Sequence, residues 1–317
     1  MKKWFAGILA LLLLALAGIY LLIPSPLHIV RIASLKCTTG GAFRVLSDTG
    51  HWKKWWPCQQ PDCHCPSMDS GGYVQGGLLY HLSGKSNSTL QVGIREGNTE
   101  LETLVSFISL GPDSVALDWS GSLPAGKGPL ARLSSYRRAL RLADNISSLI
   151  GYLRPYLENP EHIYGMPISL SSISDTLLYA TRKQTDTFPS TTDIYGMVSA
   201  IKAYTSSQGA KITGQPMLNI TKIMNAKYQV MVALPVDRTI RGNGEIFERK
   251  MIPGNFMVAY VKGGAYSVNQ AMEQMQLYFD DYRKVSMAIP FQSLVTDRLE
   301  QPDTSRWVTK IYAPVFR

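Results

Sequence analysis

The sequence predicts an α+β protein in three parts: an N-terminal membrane helix, a mixed unit closed by one long helix, and a second mixed unit built on a repeated strand, helix, loop and strand. Three observations predict it. Residues Trp4 to Ile23 carry no charge and are long enough to span a bilayer as a helix. A series of extended runs then lies between a short early helix and a long late one, which is an α+β plan. Finally, a segment near the C-terminus is written twice.

The first element is the anchor, residues 1–26. Ala15-Leu16-Ala17 would suit a signal peptidase, but the apolar run continues to Ile23, longer than an ordinary signal core, so an uncleaved single-pass anchor is preferred to a cleaved signal. Lys2 and Lys3 favour an inside N-terminus, which puts the bulk of the chain outside the cytoplasm. Arg31 and Lys36, on the other flank, leave the cytoplasmic orientation open.

Residues 27–158 form the second part. His28 to Leu35 starts a strand, and Gly40 to Asp48 is a short helix leading into Trp52-Lys53-Lys54-Trp55-Trp56-Pro57. Extended runs follow at Tyr73 to Ser83, Thr89 to Glu96, Glu100 to Leu110 and Ser114 to Ser122, and a helix covers Leu130 to Leu157. The tryptophans and lysines could form a membrane-interface patch, yet packing into the core is the stronger expectation for rings of this size. Cys37, Cys58, Cys63 and Cys65 lack the spacing of a common zinc site, and no metal site is expected. One or two disulfides follow if the domain is extracytoplasmic, and free or metal-bound thiols if it is not.

The third part, residues 159–317, holds the repeat. Tyr228 to Arg238 and Trp307 to Arg317 align without a gap at an offset of 79 residues, matching an aromatic, a β-branched position (Val232, Ile311), a Pro-Val pair and a final arginine. Each copy alternates like a strand and stops at a proline that cannot donate to a ladder. Upstream, Ser190 to Asp193 opens a helix carrying Ile194, Val198 and Ile201 on one face, with Gly209 at its stop. In the second copy Ser267 to Gln270 reads as a capping box before a helix with Val268, Ala271, Met275, Tyr278 and Tyr282 on one face. Extended runs, Leu177 to Arg182 and Phe256 to Val261, precede the two helices. Neither copy buries enough alone, so the two are expected to pack as one domain with a cleft at the junction, a common place for a small molecule.

Ile163 to Ile168, Tyr228 to Val236, Met251 to Phe256, Gly263-Gly264, Asp297-Arg298 and Asp303 to Val315, in this order and with this duplication, resemble the GyrI-like (AraC-type effector-binding) family over about half of the chain. The resemblance implies a duplicated β-α-β-β domain with an aromatic-lined ligand groove between its halves, often holding a buried glutamate for cationic ligands. That position falls at or beside Gln292, and a neutral amide there weakens a preference for cations and any hydrolase role needing a carboxylate base. Phe43 to Pro57 and the long late helix resemble the SRPBCC (START-like, polyketide-cyclase-like) helix-grip family, which implies an apolar cavity beneath that helix.

The formal net charge is +9, but no helix-turn-helix, zinc finger or RNA-binding signature accompanies it, so anionic lipid is expected as its partner rather than nucleic acid. No Gly-x-Ser-x-Gly elbow, P-loop or His-Glu-x-x-His occurs, and no cofactor is expected. Lys262 to Ser267 could receive an anion on free amides, but a turn into a helix accounts for its glycines first. The reading is therefore a membrane-anchored protein that binds a small apolar or amphipathic ligand, with Trp307, Tyr228 and Gln292 as leading contacts and Tyr260, Tyr266 and Tyr282 as weaker ones. A hydrolase of a reactive small molecule in the same groove, and an envelope scaffold without a ligand, are the alternatives. Alternation alone does not tell whether the strand face carrying Trp307 and Ile311 or the one carrying Tyr312 looks into the groove.

Overall fold

The computed structural model describes residues 2–57, 72–173, 177–251, 253–286 and 288–315, and of these the side chains of Lys2, Lys3, Phe5, Ala6, Leu9, Leu12, Ala15 and Asn225 fall outside the description. The chain is a mixed α+β structure that divides into two units, Met1–Asn159 and Pro160–Arg317. Cys58, Cys63 and Cys65 lie outside the described residues, so their expected pairing does too.

The first unit begins with helix α1 (Lys2–Leu22). Apolar side chains stand exposed along it, among them Trp4, Leu11, Leu14, Leu21 and Leu22. Among the described residues no helix is long and apolar enough to cross a membrane. Strand β1 (Leu27–Leu35) follows, then helices α2 (Thr39–Ser47) and α3 (Thr49–Trp55). The single short helix expected here is two, because Asp48 leaves the helical region at φ −112° and ψ 106° and caps Gly50 N–H with its side chain at 2.9 Å. Strands β2 (Tyr73–Gln75), β3 (Leu78–Lys85), β4 (Thr89–Glu96), β5 (Thr99–Gly111) and β6 (Ser114–Leu123) complete an antiparallel sheet in the order β1-β6-β5-β4-β3-β2. The run expected as one strand from Tyr73 to Ser83 is broken by Gly76 and Gly77. Both have positive φ (57° and 78°), the backbone of a two-residue hairpin turn.

Helix α4 (Pro129–Leu157) packs on β1 through Ala139, Leu142, Ala143, Ile146, Leu149, Ile150 and Leu153, a stripe at helical spacing. This is compatible with a helix-grip plan. Trp52, Trp55 and Trp56 are buried, as the packing expectation had it. Trp52 and Trp56 stack with centroids 5.6 Å apart, and the ring series continues through Tyr80 to Trp119. Trp52 and Trp56 donate their indole N–H to the carbonyls of Leu46 (2.8 Å) and Val74 (2.9 Å), so these two rings bury without losing a hydrogen bond. The Trp56 ring thus packs on Tyr73 and Tyr80 of the sheet.

The second unit runs α5 (Pro160–Tyr164), β7 (Ile168–Ile173), β8 (Leu177–Thr185), α6 (Thr191–Ser207), β9 (Met217–Lys222), β10 (Tyr228–Pro235), β11 (Ile246–Lys250), β12 (Gly254–Lys262), α7 (Ala265–Asp281), β13 (Phe291–Leu294) and β14 (Val308–Val315). Its antiparallel sheet has the order β11-β8-β10-β9-β13-β14-β12-β7. Helix α6 opens on the Ser190–Asp193 capping box and ends before Gly209 at φ 72°. Helix α7 differs from its expectation. It starts at Ala265 behind Gly264, which makes no side-chain cap, so Ser267 and Gln270 lie inside the helix rather than framing its start. Gly263, at φ 121°, turns the chain there and donates its N–H to Trp307 O at 2.9 Å, setting the entry one turn early.

The duplication is visible in the ladder. Leu218 pairs with Val232 in β10, and Gln292 pairs with Ile311 in β14, the residue 79 positions after Val232. Leu218 and Gln292 then pair with each other, so the pseudo-twofold axis passes between them. Each copy begins one strand earlier than the sequence suggested, and those first strands are exchanged: β7 pairs with β12, and β11 pairs with β8.

This exchange forces the sheet to curl. In sheet order β8 and β7 stand six spacings apart, about 29 Å if flat at about 4.8 Å per strand. Yet only residues 174–176 separate Ile173 from Leu177, a reach of at most about 15 Å. Residues 251–253 impose the same closure between β11 and β12. The convex side carries α6 over Tyr179, Leu218, Val230, Val232, Leu234 and Ile246, while Leu178, Ala180, Ala233, Met217, Met231 and Phe247 cluster separately on the other side.

Candidate ligand groove

That other side is concave and encloses a cavity of about 780 Å³ in the second unit. Strand alternation decides its walls. Leu178 and Ala180 from β8, Met217 from β9, and Met231 and Ala233 from β10 form an aliphatic half. Phe256 of β12, Phe291 of β13 and Pro314 of β14 form the other half. Phe291 stacks on Tyr312 (4.9 Å between centroids, 10° between planes), and Phe256 meets both rings edge-on at 5.9 and 6.1 Å. The halves are equivalent in register but unequal in bulk, and the cavity lies where one of them carries alanines.

Polar groups in the lining are few. Asn219 donates from Nδ2 to Pro290 O at 2.9 Å and accepts from Thr221 Oγ1 at 2.9 Å, so its amide is held in place. Asn255, Arg249 and Lys250 stand toward the mouth. Among the described lining residues there is no carboxylate, imidazole, hydroxyl or thiol. The groove therefore offers apolar contact, two amides and two cations, and no described group that could serve as a general base or nucleophile.

None of the six residues proposed from the sequence lines this cavity. Trp307 precedes a strand whose Ile311 points to the helix side, and it shares that side. There it meets Gln292, Leu218 and Val268 around a gap of about 40 Å³, room for a water or two. The Arg298 guanidinium sits 4.8 Å from the Trp307 ring and donates to Thr309 Oγ1 at 3.0 Å, while the indole donates to Gln301 O at 2.6 Å. Arg298 is itself buried, and that burial lowers its pKa. Tyr228 lies on the helix side against Phe188, edge-on at 5.6 Å. Tyr260 is half exposed beside Lys310, whose ammonium lies 4.8 Å from the ring and whose pKa is raised by a hydrogen bond to that tyrosine. Tyr266 is exposed and accepts from Gln270, and Tyr282 packs on Tyr278 at 4.5 Å.

The structure thus answers which strand face looks inward: the one carrying Tyr312. The residues missed were legible in part. Met251, Pro253, Gly254, Asn255 and Phe256 all line the groove, and they belong to a stretch read for its resemblance and, at Phe256, for the start of a strand, not as ligand contacts. Met217, Met231 and Met251, three thioethers converging on one cavity, had no local signal to connect them.

Fold and site together define a two-unit α+β protein with an apolar groove in the curled sheet of its duplicated unit. No family model and no curated protein matches the sequence. Among solved structures the chain is similar to the EcmrR C-terminal domain, with 18% identity, a TM-score of 0.42, and coverage of 48% of this chain and 98% of that one. It is similar to SAV2435 bound to tetraphenylphosphonium, with 15% identity, a TM-score of 0.32, and coverage of 48% and 94%. The di-domain ARO/CYC protein BexL from the BE-7585A biosynthetic pathway gives 8% identity, a TM-score of 0.32, and coverage of 92% and 85%. All three TM-scores are below 0.5.

Proposed function

We propose that this chain is a membrane-anchored small-molecule-binding protein of GyrI-like type, and that the groove of its second unit is the binding site. One observation carries the reading: a cavity of about 780 Å³ with an apolar floor and few polar groups, the size and character of small-molecule sites in general, roughly 300–1,000 Å³. The first unit, of SRPBCC type in this reading, buries Trp52, Trp56, Tyr80 and Trp119, and the described cavity of ligand size lies in the second unit.

Anchoring is assigned to α1. The uncharged run Trp4 to Ile23 and the exposed Trp4, Leu11, Leu14, Leu21 and Leu22 support it, since bare apolar side chains are stable when lipid covers them. Tyr20 donates to Lys127 O at 2.7 Å, and Arg132 donates to Ile23 O at 2.8 Å while covering the Tyr20 ring, which ties the end of α1 to the start of α4. Lys2 and Lys3 favour an extracytoplasmic location for both units.

Binding is preferred to turnover because the described lining supplies no base or nucleophile. The test is native mass spectrometry and solvent extraction of the full chain purified without added ligand. A stoichiometric apolar or amphipathic compound lost in Ala233→Tyr supports the reading. An empty groove that takes up nothing from an apolar compound library overturns it.

A further inference from the structure

The charged rim of the groove has one sign. Arg249 and Lys250 are the only charged residues among the described ones that line it, and they are consecutive at the end of β11. Arg249 pairs with Leu178 and shares its concave side, the side of Phe247, whereas Ile246 belongs to the convex core. Among the described residues no carboxylate is placed against the Arg249 guanidinium. Lys250 alternates to the side of Ile246 and Glu248, where its ammonium has Glu248 Oε1 at 3.6 Å, so Arg249 is the cation that faces the groove. Beneath it the groove is lined by Leu178, Ala180, Met231, Ala233, Phe256 and other apolar groups. A cationic ligand would meet a like charge at the entrance.

We infer that the groove takes an amphiphile with a long apolar body and a single anionic head, a carboxylate or phosphate monoester, with the body on the methionine and phenylalanine floor and the head held by Arg249. The inference rests on the groove being the binding site. Arg249 supplies a planar pair of donors that suits either head. Three methionines, Met217, Met231 and Met251, adapt to chains of different length better than branched side chains do.

The experiment compares three probes that share one alkyl chain: hexadecanoate, hexadecanol and hexadecyltrimethylammonium, titrated into the full chain in phosphatidylcholine nanodiscs. Hexadecanoate is expected to bind about 5- to 20-fold tighter than hexadecanol, as a charge-assisted contact at a partly solvated rim should give. The variant Arg249→Gln should bring that ratio to about one, while Lys250→Gln, on the other face of the strand, should leave it unchanged. Preference for the ammonium probe, or an unchanged ratio in Arg249→Gln, overturns the inference while hexadecanol binding keeps the groove reading intact. If none of the three enters, the groove reading itself fails and takes the inference with it. Uptake of hexadecanoate from solution would assign a free acid as the source. Extraction of phosphatidate from vesicles, against vesicles of phosphatidylcholine alone, would assign a membrane lipid.

Discussion

Ala233 of β10 and Tyr312 of β14 hold the same place in the two halves of the curled sheet. Ala233 pairs with Ala180 and Met217, and Tyr312 pairs with Val258 and Phe291. One half therefore spends its concave side on a ring stack, and the other leaves it open. The cavity follows from this inequality rather than from the fold, since a tyrosine in both places would fill much of the trough.

Ala233→Tyr tests that statement directly. The new ring would enter open volume rather than a packed core, so the variant should fold with a melting temperature within a few degrees of the parent, while affinity for a bound amphiphile falls by at least about 100-fold. Calorimetric titration beside thermal unfolding measures both. Undiminished binding in a folded variant would place the ligand elsewhere.

Trp307→Ala should act on stability and not on binding. The ring is buried on the helix side, covers Arg298 and spends its N–H on Gln301 O, so its removal leaves a cavity and uncovers a buried cation. A loss of about 3–5 kcal/mol is expected, as for other large aromatic truncations. Denaturant unfolding reads the loss, and the affinity of the folded fraction should stay within about twofold. A weakened affinity with unchanged stability would return Trp307 to the ligand site.

The duplication was legible because the repeated Pro-Val pairs, the aromatic and the β-branched position are local features that survive in order. The exchange of β7 and β11 between the copies was not, because it is a pairing between segments roughly 65–90 residues apart, and nothing in either strand names its partner. The site fared likewise. Alternation put Trp307 and Tyr312 on opposite faces of one strand but carried no sign for inside and outside, which the direction of curl supplies. Aromatics drew attention as contacts, whereas the open half is made of Ala180, Ala233 and methionines, residues that are informative only once they converge. In the first unit, the Gly76-Gly77 turn and the double use of Asp48 as the end of one helix and cap of the next carry local signals that the reading of one strand and one helix passed over, whereas the tryptophans' burial followed from size.

Cys37 supplies a pH prediction. Burial, with Glu158 adding a smaller push, raises its thiol from 9.0 to about 12. The unfolded chain therefore loses this proton from about pH 9 upward while the native chain keeps it, so stability falls as pH rises between 9 and about 12. The slope reaches at most about 1.4 kcal/mol per pH unit for one such group. Cys37→Ala should flatten the decline between pH 9 and 10, below the range where the buried Tyr80, whose phenol is also pushed up, adds its own share. Urea unfolding at stepped pH decides it. Parallel curves for parent and variant would mean that the thiol ionises as freely in the native chain as in the unfolded one. The same burial predicts slow alkylation of Cys37 in native protein at pH 8, with a thiolate fraction of about 10⁻⁴.

The final prediction concerns α1. Among the described residues no helix is long and apolar enough to cross a membrane, so the proposed anchoring rests on the uncharged run Trp4 to Ile23 and on the exposed Trp4, Leu11, Leu14, Leu21 and Leu22 of α1. If α1 is the anchor, the fastening of Tyr20 to Lys127 O and of Arg132 to Ile23 O marks its water-side end, because Arg132 needs water or headgroups rather than hydrocarbon. The full chain should therefore sediment with membranes and resist alkaline carbonate, and a chain starting at Pro26 should remain in the supernatant. Replacing Leu11 and Leu14 together by arginine should release the full chain as well, since each charge costs about 2.5–3.5 kcal/mol at the middle of a span. A cysteine-accessibility label placed beside Lys85 reads the side: labelling of intact cells by a membrane-impermeant reagent fits the extracytoplasmic assignment, and labelling only after lysis reverses it. Carbonate release of the unaltered chain, or recovery of a mature chain beginning near Gly18, would remove the anchor from the proposal and leave the groove to be tested without it.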